Sequence, residues 1–208
     1  MPLQNRVDPW GRLVAVNARG DFLGNRGILH DDGKNVVKLW AHQNWVTCEL
    51  SFKGIRRNLF GANSYSELFF LDEATALAAG HRPCAHCRRQ RYNEFKHFWC
   101  VATGLPDVAS VSCQEIDKQL HSERVSRSRE KIVFSDEFST VPDGTLIELG
   151  ELAYLVWGNH LHQWSHHGYV MTQPLPSQEQ VVNILTPRTI VQMYRMGFMP
   201  LLHASALG

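Results

Sequence analysis

Cys84 and Cys87 are separated by two residues in the run His81-Arg-Pro-Cys-Ala-His-Cys87. Thiols at that spacing can both reach one tetrahedral ion, with sulfur–zinc distances of about 2.3 Å. A second cysteine that opens a helix also gains from the local field, which favours the thiolate. The pair is half of a site; its other readings are a redox couple or two packing thiols. A redox pair of the thioredoxin kind lies between a strand and a helix, whereas here a helix ends at Gly80 just before the cysteines. Zinc is therefore the expected cofactor. Cys100 follows Cys87 by 13 residues on one expected helix; at a rise of about 1.5 Å per residue it is roughly 20 Å away and belongs to the core. Cys113 reaches the pair only if its helix folds back. His42, His81, His86 and His121 are candidates for a fourth ligand, with His86 pointing away from a metal held by its two neighbours.

A catalytic zinc keeps one position for water and has a carboxylate nearby. His121-Ser-Glu123 and Pro83-Cys-x-x-Cys87 supply the pieces of the zinc-deaminase signature, in which glutamate shuttles protons without binding the metal. Their order is reversed here, and the strand–helix alternation of a deaminase core is missing. In this reading Glu123 and His121 are catalytic, Arg124 and Arg127 hold an anionic substrate, and the protein is a hydrolase or deaminase acting on a nucleobase or small molecule. The bland alternative for His121 and Glu123 is a solvated helix face.

Residues 48–87 resemble the zinc-binding module at the N-terminus of the Ada DNA-repair methyltransferases and its relatives appended to nucleases. The shared text is an early cysteine, an aromatic strand, a helix reading EA-x-x-AG, then RPC-x-x-C. Here it reads Phe69-Phe70-Leu-Asp-Glu73-Ala74-Thr-Ala-Leu-Ala-Ala-Gly80-His81-Arg82-Pro83-Cys84-Ala-His-Cys87. The resemblance implies that Cys84 and Cys87 are ligands, that Cys48 is the third, and that the zinc is structural. It also implies company with DNA. The spacer from Cys48 to Cys84 is longer than in that family, and Asn44 stands near the place of its fourth ligand. The cysteine-flanked methyl-acceptor pattern is absent, so no alkyl transfer is expected.

A formal net charge of +1 excludes a globally basic nucleic-acid binder but allows a local patch. Lys53, Arg56 and Arg57 follow the Cys48 strand, Arg82, Arg88, Arg89 and Arg91 surround the pair, and Arg124, Arg127, Arg129 and Lys131 form a third cluster. If a metal gathers the first two groups, Arg56, Arg57, Arg88, Arg89 and Arg91 make one positive face whose guanidinium forks suit phosphate. The alternative is ordinary surface charge beside Glu94 and Asp117. His160 and His162 share a strand face without a nearby carboxylate and read as exposed hairpin residues. A third function class remains, a zinc-stapled interaction protein without chemistry.

The elements that must position these residues suggest an α+β fold in 208 residues, 44% of them hydrophobic. Residues 1–131 are expected to hold the zinc module with N-terminal strands at 12–18, 45–52 and 66–71 among Gly, Asn and Asp turns. Asp72 caps a short helix ended by Gly80. A second helix, with Tyr92, Phe95, Phe98 and Trp99 on one face, begins at Pro83 or just after and ends near Gly104-Leu-Pro106. Ser112 and Glu115 fit a capping box opening a third helix that runs to about Ser126. Residues 132–208 read as an antiparallel meander, TLIEL, AYLVW, HLHQW and YVMTQ, with a further strand at 181–185 and a helix capped by Thr186-Pro187 and closed by Gly197. No stretch has the ~18 apolar residues of a membrane span, and the N-terminus has no apolar signal region. Five cysteines, an odd number, suggest reduced thiols and a cytoplasmic setting.

Overall fold

Gly, Asn and Asp residues break the N-terminal apolar runs into short strands. The computed structural model describes residues 1–54, 58–105 and 108–207. Strand β1 (Gln4–Val7) pairs antiparallel with β2 (Leu13–Ala15), and β3 (Phe22–Asn25) pairs antiparallel with β4 (Val46–Glu49) and β5 (Leu68–Phe70). Parallel pairings of β1 with β5, and of β4 with β6 (Arg82–Pro83), complete a six-stranded mixed sheet in the order β2-β1-β5-β3-β4-β6. The runs at 45–52 and 66–71 lose their ends to the bends after Glu49 and to the Asp72 cap.

Pro83 does not open a helix. The Arg82 N–H donates to Trp45 O at 3.1 Å and the Cys84 N–H to Thr47 O at 2.8 Å, which makes residues 82–83 an edge strand. Proline, lacking a donor, fits between those two ladder bonds. The helix α2 (Arg89–Thr103) starts only after Cys87 and closes on Gly104 in the left-handed conformation, φ 69°.

Helix α1 (Glu73–Ala78) reads EATALA, and every residue of it is buried. Ala74 and Ala78 pack with Leu146, Leu155 and Trp164, while Ala76 packs with Val7, Leu68 and Phe70. Methyl side chains let one helix approach two sheets closely, at the density of a protein interior. Gly80 ends the segment at φ 84°, and a Cβ there would meet Arg124 Cδ at 2.4 Å. Both the backbone conformation and the space require glycine.

The second sheet is antiparallel, in the order β11-β10-β9-β8-β12-β7. Its strands are β7 (Phe134–Glu137), β8 (Leu146–Leu149), β9 (Leu152–Trp157), β10 (His160–Ser165), β11 (Gly168–Pro174) and β12 (Val181–Ile184). Helix α3 (Cys113–Arg124) carries the expected capping box: Glu115 N donates to Ser112 Oγ at 3.2 Å and Ser112 N to Glu115 Oε2 at 2.7 Å. Helix α4 (Arg188–Arg195) packs with α2 and α3 through Phe95, Trp99, Ile116, Leu120 and Met193. The fold is thus α+β, as the sequence suggests. The boundary expected at residue 131 separates the two sheets, not two bodies, because α1 serves both sheets and α4 packs on α2 and α3. No described helix is long and apolar enough to cross a membrane.

Two buried carboxylates lock this arrangement. Asp72, the α1 N-cap, accepts from Thr75 N at 2.8 Å and also from Tyr169 Oη at 2.9 Å and His203 N at 3.2 Å. Burial raises its pKa and these bonds oppose the rise. Glu73, fully buried, meets Arg88 Nη2 at 2.8 Å and Arg91 Nη2 at 2.6 Å, and accepts from Leu201 N at 3.0 Å. One dipeptide therefore joins the first sheet, the start of α2, the second sheet and the C-terminal tail. Removing one partner of a buried pair strands the other's charge, at a cost of about 3–5 kcal/mol. Glu73→Gln, which leaves Arg88 with Glu49 and Arg91 with Glu94 as their remaining carboxylate partners, is expected to lower stability by about 3 kcal/mol, the low end of that range. Urea unfolding checks this as a fall in midpoint at unchanged slope; a loss below about 1 kcal/mol would remove Glu73 from this role.

Candidate metal centre

The register of β4 and β6 brings the cysteines together. Thr47 faces Pro83 in the parallel ladder, so Cys48 and Cys84 are the next residues along neighbouring strands. The turn after Cys84 closes with Arg88 N donating to Cys84 O at 3.1 Å, and it returns Cys87 to the same place. The sulfurs of Cys48, Cys84 and Cys87 all lie within 4.8 Å of one another, each half-buried. Sulfurs sharing one tetrahedral zinc are about 3.8 Å apart, given bonds of about 2.3 Å.

The protonation chemistry of the triad suits a cation. The Cys84 thiol is pulled down to about 4, first by the hydrogen bond from Cys48 and then by backbone N–H groups of Cys87 and His86. His86 N lies 3.4 Å from Cys84 Sγ. Cys48 is pushed up, chiefly because it donates to Cys84, and Cys87 is pushed up by burial. One thiolate thus holds two neighbouring thiols through shared protons. A divalent metal takes the place of such protons when it binds. The donor set fits zinc, and Cys48, Cys84 and Cys87 would hold it, supplying electrostatic cross-linking of β4, β6 and the start of α2.

The remaining candidates are elsewhere. Cys100 is buried in the helical core, and Cys113 Sγ lies 2.9 Å from Tyr92 Oη. His86 is exposed and packs edge-on against Phe52 at 5.2 Å. His81 is fully buried, with Nε2 accepting from Arg26 Nε at 3.1 Å; burial and the charges of Arg26 and Arg124 hold it well below the usual histidine range. His121 packs edge-on against Trp40 at 5.8 Å and Trp45 at 6.2 Å, and its Nδ1 lies 3.1 Å from Arg124 Nη2. Burial lowers the pKa of His121, and likewise of His42. Among the described residues no fourth His, Cys, Asp or Glu joins the triad.

Two expectations need correction. Glu123 is neither on a solvated face nor beside the cysteines. It accepts from Thr189 N at 2.9 Å, from Thr189 Oγ1 at 2.5 Å and from Gln119 Nε2 at 3.1 Å. Helix α4 has no side-chain cap of its own, so Glu123 satisfies its free N-terminal donors and meets the positive end of its dipole. Arg88 and Arg91 are also not free for phosphate, because Glu73 holds both and their guanidinium groups lie over Phe22 and Phe198 at 4.3 and 4.1 Å. Arg89 is exposed, as is Lys53. Arg56 and Arg57 lie outside the described residues. Glu73 was not among the functional candidates, although a carboxylate opening an alanine-rich helix, with arginines following the cysteines, is the signal that marks it.

No family model matches the chain, and neither the curated proteins nor the solved structures searched contain a match.

Purified protein is expected to carry about one zinc per chain, as a structural site does. Cys84→Ser and Cys48→Ser should lose it, while Cys113→Ser should keep it, by elemental analysis. Metal content should also fall on acidification, because protons compete with the metal for the same sulfurs. Glu123→Ala should leave metal content unchanged and cost about 1–2 kcal/mol through the lost cap.

Proposed function

We propose that this chain is a zinc-binding protein of the Ada-like kind that contacts nucleic acid, DNA foremost, in repair, defence or processing, with zinc as a structural staple. The observation that carries the reading is the convergence of Cys48, Cys84 and Cys87, the ligand set that the Ada-like text implies. The staple would tie the end of β4, which Lys53 follows, to the turn that leads into α2 and Arg89, and Lys53 and Arg89 are both exposed. Exposed lysine and arginine on a short, metal-pinned surface suit sequence-independent phosphate contact.

A zinc-dependent hydrolase or deaminase is the competing reading. It needs a free carboxylate beside the ion, and Glu123 is engaged in capping α4. That engagement favours the structural role. Coordination is tested by X-ray absorption on the zinc-loaded chain: four protein donors support the staple, and a bound water in the fourth position supports catalysis.

Binding to duplex and single-stranded DNA is expected to weaken with salt, as counterion release requires. Replacing Arg56, Arg57 and Arg89 with alanine should lower affinity for all sequences and reduce the salt slope by about one for each phosphate no longer neutralised. Arg91→Ala should act on stability rather than on that slope. Fluorescence anisotropy at two or more salt concentrations decides the matter, and absence of binding at low salt defeats the reading.

A further inference from the structure

Away from the cysteines, five cations line one cavity: Arg12, paired with Asp8 and lying over Trp10, Arg129, exposed and lying over Trp40, and a set of three formed by Arg26, Arg124 and Lys131. The space is about 480 Å³ and is lined by Arg26, Arg124, Lys131, Trp10, Trp40 and Trp45. Arg26 is 1% exposed and Arg124 0%. Each guanidinium carbon lies 4.0 Å from the centroid of the Trp45 ring. The polar partners of the three cations are neutral. Arg26 donates to Gly11 O at 3.0 Å and to His81 Nε2 at 3.1 Å, and Arg124 to Gly80 O at 2.7 Å and Gln43 O at 2.5 Å. Lys131 Nζ donates to Ala78 O at 2.5 Å. Arg26 Nη2 and Arg124 Nε are buried without a hydrogen-bond partner among the described residues.

The acidic groups nearby are already engaged or at the rim. Asp8 is ion-paired to Arg12 at 2.6 Å, Asp117 is held by Arg82 through two bonds of 2.7 Å, and Glu130, exposed, accepts from Ser128 at 2.9 Å. Among the described residues no ion pair involves Arg26, Arg124 or Lys131. Burying a charge without a counter-charge is costly. Burial lowers Arg26 to about 9; burial and the neighbouring cations lower Arg124 to about 9 and Lys131 to about 7. A set of cations held this way is complete when an anion enters.

We propose that this cavity binds a small phosphate monoester, with the phosphoryl group on Arg26, Arg124 and Lys131 and a planar apolar group against the indoles of Trp10 and Trp40. A phosphate monoester carries a charge of about −1.5 to −2 near pH 7, which answers several cations better than the single charge of a carboxylate. Guanidinium forks match its oxygens. The volume falls within the roughly 300–1,000 Å³ of small-molecule pockets, and the apolar walls extend through Leu13 and Leu39. The inference is independent of the zinc and nucleic-acid reading, since none of the three cysteines lines the cavity.

The test is isothermal titration calorimetry on the full chain at low salt with phenyl phosphate, inorganic phosphate, benzoate and phenol. Phenyl phosphate is expected to bind and to raise the thermal midpoint. Inorganic phosphate and benzoate should bind at least about tenfold more weakly, and phenol should give no heat. Lys131→Met and Arg26→Gln should each weaken phenyl phosphate by about tenfold or more, the loss expected for a charged hydrogen bond, with zinc content unchanged. Lys131→Met is the safer variant, because Lys131 is only partly buried and its single hydrogen bond goes to the carbonyl of Ala78, the last residue of α1. If Arg26→Gln does not fold, that variant alone decides the result. No heat and no thermal shift up to about 10 mM phenyl phosphate, well into the range of weak binding, overturns the proposal. Equal binding of benzoate, or wild-type affinity in Lys131→Met, also overturns it.

Discussion

The architecture depends on two adjacent carboxylates placed where no water reaches. Asp72 ends a strand of the first sheet and caps α1, and it also receives the hydroxyl of Tyr169 from the second sheet. Glu73 turns the other way and is met by the two arginines that follow the cysteine turn. Desolvating a carboxylate is unfavourable unless every lone pair is answered, so the partners must arrive together. That requirement orients α1 between the sheets, sets where α2 begins relative to Cys87, and draws the C-terminal tail in through Leu201 and His203. The alanines of α1 then make room for both sheets, and Trp164 completes the junction by donating to Thr75 Oγ1 at 2.9 Å.

Local signals were legible in the sequence wherever one residue type answers one local need. The Ser112–Glu115 capping box, the Asp72 cap, the left-handed glycines at 80, 104 and 197 and the evenly spaced meander all appear in the structure. The cysteine pair was legible for the same reason, since its spacing states its geometry. Signals that depend on distant partners were not. Pro83 carries the mark of a helix start, yet the carbonyls of Trp45 and Thr47 capture the donors on either side of it and make it a strand. Glu123 sits in an H-x-E pattern, but its partner is the open N-terminus of a helix marked by Thr189, 66 residues further along the chain. The contiguity of Arg88, Arg89 and Arg91 suggested one positive face. Helical periodicity and the buried Glu73 instead leave Arg89 exposed and turn the other two inward.

The arginines illustrate why charge counts along a chain say little about charge on a surface. Arg82 forms a bidentate pair with Asp117, and Arg88 and Arg91 share Glu73. These cations are neutralised within the fold and leave little field outside it. Arg26 and Arg124 are as deeply buried but face an indole and backbone carbonyls. Packed arginines of the first kind hold parts of the chain together. Those of the second kind carry an uncompensated charge into a cavity.

Strand β4 separates the two kinds of chemistry by the simplest rule of extended chain, that alternate side chains point to opposite faces. Trp45 and Thr47 are buried on one face, where Trp45 lies between two guanidinium groups and Thr47 receives Arg88 Nη1 at 3.2 Å. Val46 and Cys48 are half-buried on the other, where Cys48 meets Cys84 and Cys87. A metal bound to Cys48 would fix the register of β4 against β6, and through it the depth at which Trp45 sits. The cavity residues Arg26, on the loop leaving β3, and Arg124, at the end of α3, both take their position from that ring. The cysteine triad and the cation-lined cavity therefore have separate residues but a common strut, and a shift of β4 by one residue would exchange their faces and dismantle both.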